Sequence, residues 1–514
     1  MKLRFAALTG TVVILADLLV SPTIIQATDY TWNNAAGGTF STSGNWTPAG
    51  PPTSADSATF GLAGNYTVNF SGSATTFQLF FTNSNTVTFD MKGQTYTASA
   101  TTVNPGIVIN NSAKVILSDS VATNGLLRNH TPASNKPITI GGNGLEMNTS
   151  LGFGTTFNIH GDFNALAPVL VDGVGSFLNH DQSFFNVSAG SSLTIQNGGR
   201  VNGANFQQVN SATAILIDGI GSTLKTTANG ARVGQFGGTT RIINGGTWDT
   251  SGLQFEMGVS SGNPVITVGN GVNTSSILAG DFRFGTTFDP NRGAPELIVK
   301  GGGLIRATST ANSIFIYDQG TLTMNGGNAE VAAGGQVVVA DINGTGSKGL
   351  LRGSGTITRY LAGSNFSITN NGNIRPGDTN ATARIATLSV ANGNLVQNSG
   401  GRSFFDFDGS GSDLISMSGG TATIGGTNTF TILNGYTPQT GDHWDFLIAD
   451  DITYTASDNI KALMTSFGLQ TEYSFGVSPL NGQEVLRLSI PEPDAAVLLG
   501  MSGLLFLRRK RGKR

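Results

Sequence analysis

The chain has 514 residues; 11% of them carry charged side chains, 72 are glycines and none is cysteine. The lack of cysteine excludes disulfides, thiolate nucleophiles and Cys-ligated zinc, and a formal net charge of −3 provides no broad basic surface for nucleic acid. Low charge, abundant glycine and many short β-branched runs favour an extracellular all-β protein over a cytosolic enzyme.

Residues 1–27 have the composition of an export signal. Lys2 and Arg4 give a charged start, residues 5–20 are mostly apolar, and the small residue Ala27 ends a suitable cleavage site. We predict cleavage after Ala27, with an uncleaved N-terminal anchor as the alternative. Export follows in either case.

The predicted mature chain opens with short alternating strands, for example at 66–70 and 86–89. Two tryptophans, Trp32 and Trp46, precede them. Such side chains either stack on sugars or cover the open end of a coil stack. We favour the second role, a cap, because a stack of repeats needs a cap at its end.

Between about 100 and 400 the chain repeats itself. The hexapeptide at 171–176 recurs at 217–222, a shift of 46, and the segment at 193–199 recurs at 240–246, a shift of 47. Such a shift holds two turns of roughly 20 to 25 residues, which is the coil size of a β-solenoid. We therefore predict an all-β protein whose residues 28–414 form a right-handed parallel β-helix.

Each repeat combines a short strand with a glycine corner. Alternate side chains of the strand point inward and stack on the next coil. The corner, Asn-Gly or Gly-Gly, needs positive φ, and its asparagines can hydrogen-bond to those of the neighbouring coil. A single unit therefore cannot bury its core, whereas a stack can.

Residues 350–450 carry a further pattern: Gly-Ser-Gly-Thr-Ile at 353–357, Asn-Ile-Arg-Pro-Gly at 373–377 and Leu-Ser-Val at 388–390. This order resembles the end of autotransporter-type passenger stems, and the resemblance implies a β-helix fold rather than self-secretion. Residues 415–489 change character and predict a C-terminal β cap. Within that cap, 459–467 is helix-like, with Asp458 as the N-cap.

Residues 490–514 form a tripartite tail. Two prolines around one residue resist helix and sheet and predict an exposed tether, the apolar run 495–507 predicts a short membrane helix, and the basic end would stay on the cytoplasmic side. The alternative is a disordered apolar tail. The triplet is Pro491, Glu492 and Pro493, and the basic cluster is Arg508, Arg509, Lys510 and Arg511.

The order of these three parts resembles the PEP-CTERM sorting tail of Gram-negative bacteria. The resemblance implies that a membrane-embedded exosortase recognises the tail and cuts near the triplet. The chain would be tethered to the inner membrane before processing. It would then reach the cell surface, the outer envelope or the extracellular space.

Asp406, Asp408 and Asp413 alternate with glycine and serine and form the candidate metal site, since Ca²⁺ takes six to eight hard oxygen ligands. The alternative is a hairpin-like corner between strands, with Asp413 starting the next strand. We expect no other cofactor.

Residues for catalysis are few. The four histidines, His130, His160, His180 and His443, are scattered, and no catalytic motif surrounds them. Neighbouring carboxylates on successive coils would suit a polysaccharide lyase or glycosidase. Asp172 and Asp218, however, share one repeat position before glycine, which indicates turn chemistry. The carboxylates considered were Asp162, Asp172, Asp181 and Asp218.

Three functions remain open. A structural surface protein is our first choice, and it is not an enzyme. A carbohydrate-binding adhesin, with extracellular polysaccharide as its partner, predicts a row of exposed aromatic side chains. A polysaccharide-degrading enzyme predicts a cleft with convergent carboxylates and a basic residue.

Overall fold

The structure is a computed structural model. It describes residues 28–492 apart from short internal segments, which are 83–85, 101–105, 111–112, 122–124, 130–137, 141–143, 148–150, 152–154, 160–162, 182–183, 189, 209–212, 229, 234–236, 251, 259–261, 286–292, 311–312, 343–347, 378–384, 470–471 and 478–481.

Parallel strand pairing between successive coils dominates the described chain. The strand Val169–Asp172 pairs with Ser192–Gln196, which pairs in turn with Ala214–Asp218, and all three run in the same direction. Each coil contributes up to three such strands, so the stack has three faces. The predicted all-β parallel solenoid is confirmed.

The three faces contain the following strands. Face 1 consists of Gly38–Thr39, Tyr66–Asn69, Thr86–Asp90, Lys114–Ser118, Gly144–Met147, Val169–Asp172, Ser192–Gln196, Ala214–Asp218, Thr239–Ile243, Val265–Val268, Glu296–Lys300, the first parts of Thr321–Val331 and Leu350–Arg359, Asn373–Pro376, Arg402–Asp408, Thr427–Ile432 and Ser457–Asp458. Face 2 consists of Ala74–Thr76, Thr95–Ala98, Leu126–Arg128, Thr156–Ile159, Phe177–His180, Arg200–Gly203, Thr223–Thr226, Thr247–Asp249, Ser275–Ala279, Gly303–Ala307, the second parts of Thr321–Val331 and Leu350–Arg359, Thr387–Ala391, Leu414–Ser418 and His443–Ala449. Face 3 consists of Asp29–Trp32, Ser57–Phe60, Gln78–Phe81, Ile107–Ile109, Ile138–Ile140, Phe163–Ala165, Phe185–Val187, Phe206–Gln208, Ala231–Val233, Phe255–Met257, Phe282–Phe284, Ile314–Ile316, Gln336–Val339, Phe366–Asn370, Gly393–Gln397, Thr421–Ile424 and Asp451–Tyr454.

The sequence repeats correspond to two coils, as predicted. Val171 lies opposite Ile195 in the next coil, and Ile195 lies opposite Ile217 in the coil after that. Leu193 is related in the same way through Ile215 to Thr240. The repeated segments therefore occupy equivalent places on face 1.

The Asn-Gly-Gly corners show why these residue types recur. Asn244 and Gly245 have φ values of 54° and 96°, in the left-handed region that asparagine and glycine tolerate best. Gly246 meets a different constraint, because a Cβ atom there would lie 2.5 Å from the carbonyl oxygen of Ile217 in the preceding coil. Asn270 Nδ2 donates to Asn244 Oδ1 at 2.5 Å, which confirms the predicted ladder at this corner.

The core is a column of apolar side chains that stack from coil to coil. On face 3, the rings of Phe185 and Phe206 stack with centroids 5.3 Å apart. The next residue of that column is Ala231, whose small side chain leaves space. Trp248 of face 2 occupies the space and contacts Phe206 and Phe255 edge to face, with both pairs of centroids 5.1 Å apart.

A chain of buried amides crosses three coils near the C-terminal end. Asn370 Nδ2 donates to Gln397 Oε1 at 2.9 Å, and Gln397 Nε2 donates to Asn428 Oδ1 at 3.1 Å. Ser403 Oγ also donates to Gln397 Oε1, and Gln397 Nε2 to the carbonyl oxygen of Gly425, both at 2.6 Å. Gln397 is thus the centre of the network, and such hydrogen bonds offset the cost of burying most of these amide groups.

The N-terminal end of the stack is closed by aromatic side chains. Trp32 and Trp46 are 0% and 1% exposed, and their strands pair antiparallel. Their indole nitrogens donate to the carbonyl oxygens of Asn34 and Phe40, both at 2.7 Å. The short 3₁₀ helix Ser43–Asn45 leads into the second strand, Trp46–Thr47. The two tryptophans are therefore a cap, as favoured, and sugars cannot stack on their buried rings.

Parallel pairing runs without a break across residue 414, since Thr387–Ala391 pairs with Leu414–Ser418. It continues to Ser457–Asp458, and the helix Ile460–Thr465 follows. Asp458 Oδ1 accepts a hydrogen bond from the amide of Ile460 at 3.1 Å, but the N-cap residue is Asn459 and not the predicted Asp458. The last two strands, Glu472–Val477 and Glu484–Ser489, are antiparallel and close face 2 beyond His443–Ala449.

Candidate functional site

The chain leaves the fold at Ile490. This residue is 2% exposed, its amide donates to the carbonyl oxygen of Asp442 at 2.9 Å, and its carbonyl oxygen accepts from the amide of Gly441 at 2.8 Å. Pro491 and Glu492, which follow, are exposed. The first two residues of the predicted triplet are therefore exposed and directly follow Ile490, which is still hydrogen-bonded within the fold.

The strand that precedes this exit is held on both sides. Glu484–Ser489 lies between His443–Ala449 and Glu472–Val477 and pairs antiparallel with each. Arg487 forms a bidentate ion pair with Asp445, with nitrogen–oxygen distances of 2.6 and 2.9 Å. The hydrogen bond to Asp445 raises the pKa of Arg487 above its already high value. The exit is thus anchored through backbone pairing and charge.

The other sequence-predicted features of sorting lie outside the described residues. They are Ala27, Pro493, the apolar run 495–507 and the basic cluster Arg508, Arg509, Lys510 and Arg511. No helix within the described part of the chain is long and apolar enough to cross a membrane.

A pocket of about 260 Å³ lies beside the exit and is lined by Asp408, Tyr436, Asp442, His443 and Trp444, among others. Asp442 Oδ2 accepts hydrogen bonds from the Tyr436 hydroxyl and, at 2.7 Å, from the Gln439 amide. Donation to this carboxylate raises the pKa of Tyr436 to about 12. Asp442 therefore fixes the turn that holds Ile490. This role of Asp442 was not predicted from the sequence, although Gly-Asp before a strand, here Gly441-Asp442, is typical of a turn.

The candidate calcium site folds as a hairpin. Arg402–Asp408 pairs antiparallel with Gly411–Ser412, and Asp413 directly precedes the next strand. Asp408 Oδ1 accepts from the Ser410 hydroxyl and amide at 2.6 and 2.7 Å, and these bonds lower the pKa of Asp408. The alternative of a corner between strands is therefore the observed structure.

Asp406 and Asp413 lie buried beneath this hairpin, at 1% and 0% exposure. Asp413 accepts from the amide of Ala386 at 3.0 Å and from the amide of Asp406 at 2.9 Å. Burial outweighs these bonds and raises the pKa of Asp413 to about 7. Arg375 approaches Asp406 to 3.9 Å. Among the described residues, no three His, Asp or Glu side chains are grouped to hold a metal ion.

The residues weighed for catalysis are not brought together. His180 is buried and its Nδ1 accepts the amide of Ala204 at 3.2 Å, whereas the adjacent Asp181 is exposed. Asp172 accepts from Asn197 at 2.7 Å and Asp218 from Asn244 at 2.6 Å, which is the predicted turn chemistry. His443 lies in the exit pocket. His130, His160 and Asp162 lie outside the described residues.

Some acidic side chains of the outer surface are paired with basic ones. On face 3, Glu256 lies 3.5 Å from Arg232, and Asp281 lies 2.9 Å from Arg283. The strongly exposed aromatic side chains of the described chain are Phe184, in the middle of the stack, and Phe467, beyond the C-terminal helix. These two do not form a row along one face.

No family model matches the chain, and no curated protein sequence matches it.

Proposed function

We propose that the chain is an exported structural protein, a right-handed β-helical rod of the bacterial cell surface or extracellular matrix that an exosortase sorts through its C-terminal tail. It performs no catalysis. Export begins at the signal in residues 1–27, and the tail tethers the chain to the inner membrane until it is processed.

The observation that carries this proposal is the exit at Ile490. A sorting protease needs an extended, accessible segment, and a surface protein needs a fold that survives the cut. Pro491 and Glu492 are exposed, while Ile490 is buried and hydrogen-bonded to Gly441 and Asp442. A cut at the triplet therefore removes the tail and leaves every described strand in place.

The surface chemistry is consistent with a rod. On face 3, Glu256 and Asp281 are each paired with an arginine, and the corners are built from asparagine and glycine. Neither arrangement resembles the pair of carboxylates that a glycosidase uses.

The proposal is tested by cell fractionation in a Gram-negative host that has an exosortase. We expect the native chain at the cell surface or in the medium, and a double Pro491→Ala, Pro493→Ala variant at the inner membrane. Pro51→Ala, an exposed proline near the N-terminus, is the control and should sort normally. Equal distribution of all three proteins contradicts exosortase sorting.

A further inference from the structure

Face 1 carries a groove of about 580 Å³ in the middle of the stack, here called the basic groove. Arg241 lies opposite Thr267, and Thr267 lies opposite Ile298, two residues before Lys300. The two cations therefore stand two coils apart, roughly 10 Å along the stack. The lining that matters here is Arg241, Thr267, Asn270, Lys300, Gly301 and Asn325.

Glycine corners make this part of the surface concave. A Cβ atom at Gly269 would lie 2.4 Å from the amide nitrogen of Gly303, so the coils approach there without side chains between them. The amide of Gly271 donates to the carbonyl oxygen of Gly301 at 2.6 Å and joins the two corners. Asn270, bonded to Asn244 of the preceding coil, stands beside them. The groove is thus built on the backbone of two hydrogen-bonded glycine corners.

The described lining of the groove is positively charged. Arg241 and Lys300 are exposed, and no acidic residue is among the described lining residues. Glu296, on the strand of Lys300, is engaged by Arg352 at 2.8 Å and by Thr323 at 2.6 Å. Asp218, on the strand before that of Arg241, accepts from Asn244.

Several other cations of the rod differ from Arg241 and Lys300, because a carboxylate lies beside each of them. The pairs are Lys114 with Glu146, Arg232 with Glu256, Arg283 with Asp281, Arg306 with Glu330, Lys348 with Asp341 and Arg487 with Asp445. Two cations that share one polar concavity without a carboxylate are suited to an anionic ligand.

We propose that the basic groove binds a linear polysaccharide that carries carboxylate groups, lying along the stack axis. Arg241 and Lys300 contact two carboxylates of the polymer through charge-assisted hydrogen bonds. Thr267, Asn270 and Asn325 supply the hydroxyl and amide groups that sugar hydroxyls need. The identity of the ligand in the cell depends on the export proposed above. Binding of such a polysaccharide by the purified protein does not depend on it.

Nucleic acid fits the groove less well. Its binding needs many cations along the backbone, and single strands also need exposed aromatic rings for base stacking. The groove has two cations, and no aromatic side chain is among its described lining residues.

The test is isothermal titration of the purified full-length protein with a hexamer of galacturonate at low salt. We expect binding that weakens as salt is added, because exposed charges are screened. The double variant Arg241→Gln, Lys300→Gln should bind at least about tenfold more weakly, since the two charged contacts together contribute at least that factor. Uncharged maltohexaose should not bind measurably.

The matched control is Lys225→Gln, Lys461→Gln, which removes the same charge from exposed positions outside the groove. It should bind as the native chain does. Equal losses in both double variants would show non-specific charge attraction and overturn the site. Equal binding of maltohexaose, or tighter binding of oligothymidylate that depends on Arg241 and Lys300, would overturn the ligand class. None of these results depends on exosortase, so failure here is distinct from failure of sorting.

Discussion

The indole rings of Trp32 and Trp46 meet edge to face with centroids 5.1 Å apart at the N-terminal end of the stack. Phe40 and Phe60 complete the contact, with centroids 5.0 and 5.5 Å from that of Trp46. Aromatic pairs of this geometry contribute beyond the area they bury. The first coil is therefore held mainly by rings rather than by a preceding coil.

Replacing Trp46 by alanine should destabilise the N-terminal coils by about 3–5 kcal/mol, the usual cost of deleting a large buried aromatic side chain. Because each coil contacts only its neighbours, the loss should be local. Hydrogen exchange should accelerate first in strands Asp29–Trp32 and Ser57–Phe60. Phe184→Ala, at a side chain that is 46% exposed, is the control and should change little. Equal effects of the two substitutions would argue against the cap.

Gly246→Ala should be strongly destabilising, because the added Cβ atom would lie 2.5 Å from the carbonyl oxygen of Ile217 and the two coils would have to separate. We expect a loss on the order of 1–3 kcal/mol, as for other overpacked sites. Gly72→Ala is the matched control, since no atom lies within 4 Å of its added Cβ. Denaturant titration of both variants measures the difference, and similar midpoints would refute the close approach.

Gln397→Ala should cost roughly 2–4 kcal/mol, because Asn370, Asn428 and Ser403 would lose a buried partner. Asn398→Ala, at the next residue, removes an exposed amide whose bond to Asn371 lies at the surface. It should cost well under about 1 kcal/mol. Unfolding free energies of the two variants provide the comparison. A larger loss at 398 than at 397 would contradict the assigned network.

The buried Asp413 should make stability fall as pH rises. Its pKa is raised from 3.8 to about 7, so between these values the unfolded chain releases a proton that the folded chain keeps. The folded state therefore loses stability from about pH 4 to pH 7, on the order of a few kcal/mol at about 1.4 kcal/mol per pKa unit.

Asp413→Asn removes this titration, so the stability of the native chain relative to the variant should decline over that range. Asp408→Asn is the comparison, because the pKa of Asp408 is lowered and the difference should be constant above about pH 5. Urea titrations at several pH values measure both. A relative stability that increases with pH for Asp413 would show that its carboxylate is stabilised in the folded state.

The fold was largely predictable because its physics is repeated in each coil. The shift of 46 residues and the Asn-Gly-Gly corners predicted the parallel stack and placed Val171 and Ile217 two coils apart. The coils differ in length, however, and which side chains of different faces come into contact depends on these lengths. Nothing in the sequence near Ala231 indicates that Trp248 fills the space beside it.

The candidate sites, too, were predictable only where a local sequence pattern specifies them. Local patterns predicted the turn role of Asp172 and Asp218 and left two alternatives for Asp406–Asp413, of which the hairpin is observed. The basic groove was not predicted. Arg241 and Lys300 are 59 positions apart in the sequence and come together only through the register of three strands. Such pairs cannot be recognised before the coil lengths are known.

The measurement that tests the sorting account most directly is the intact mass of the protein recovered from the surface or medium of a Gram-negative host that has an exosortase. The account predicts a chain that has lost residues 1–27 and ends near Pro491, Glu492 and Pro493, with the described fold intact. A recovered chain whose mass still includes residues 494–514 would contradict it.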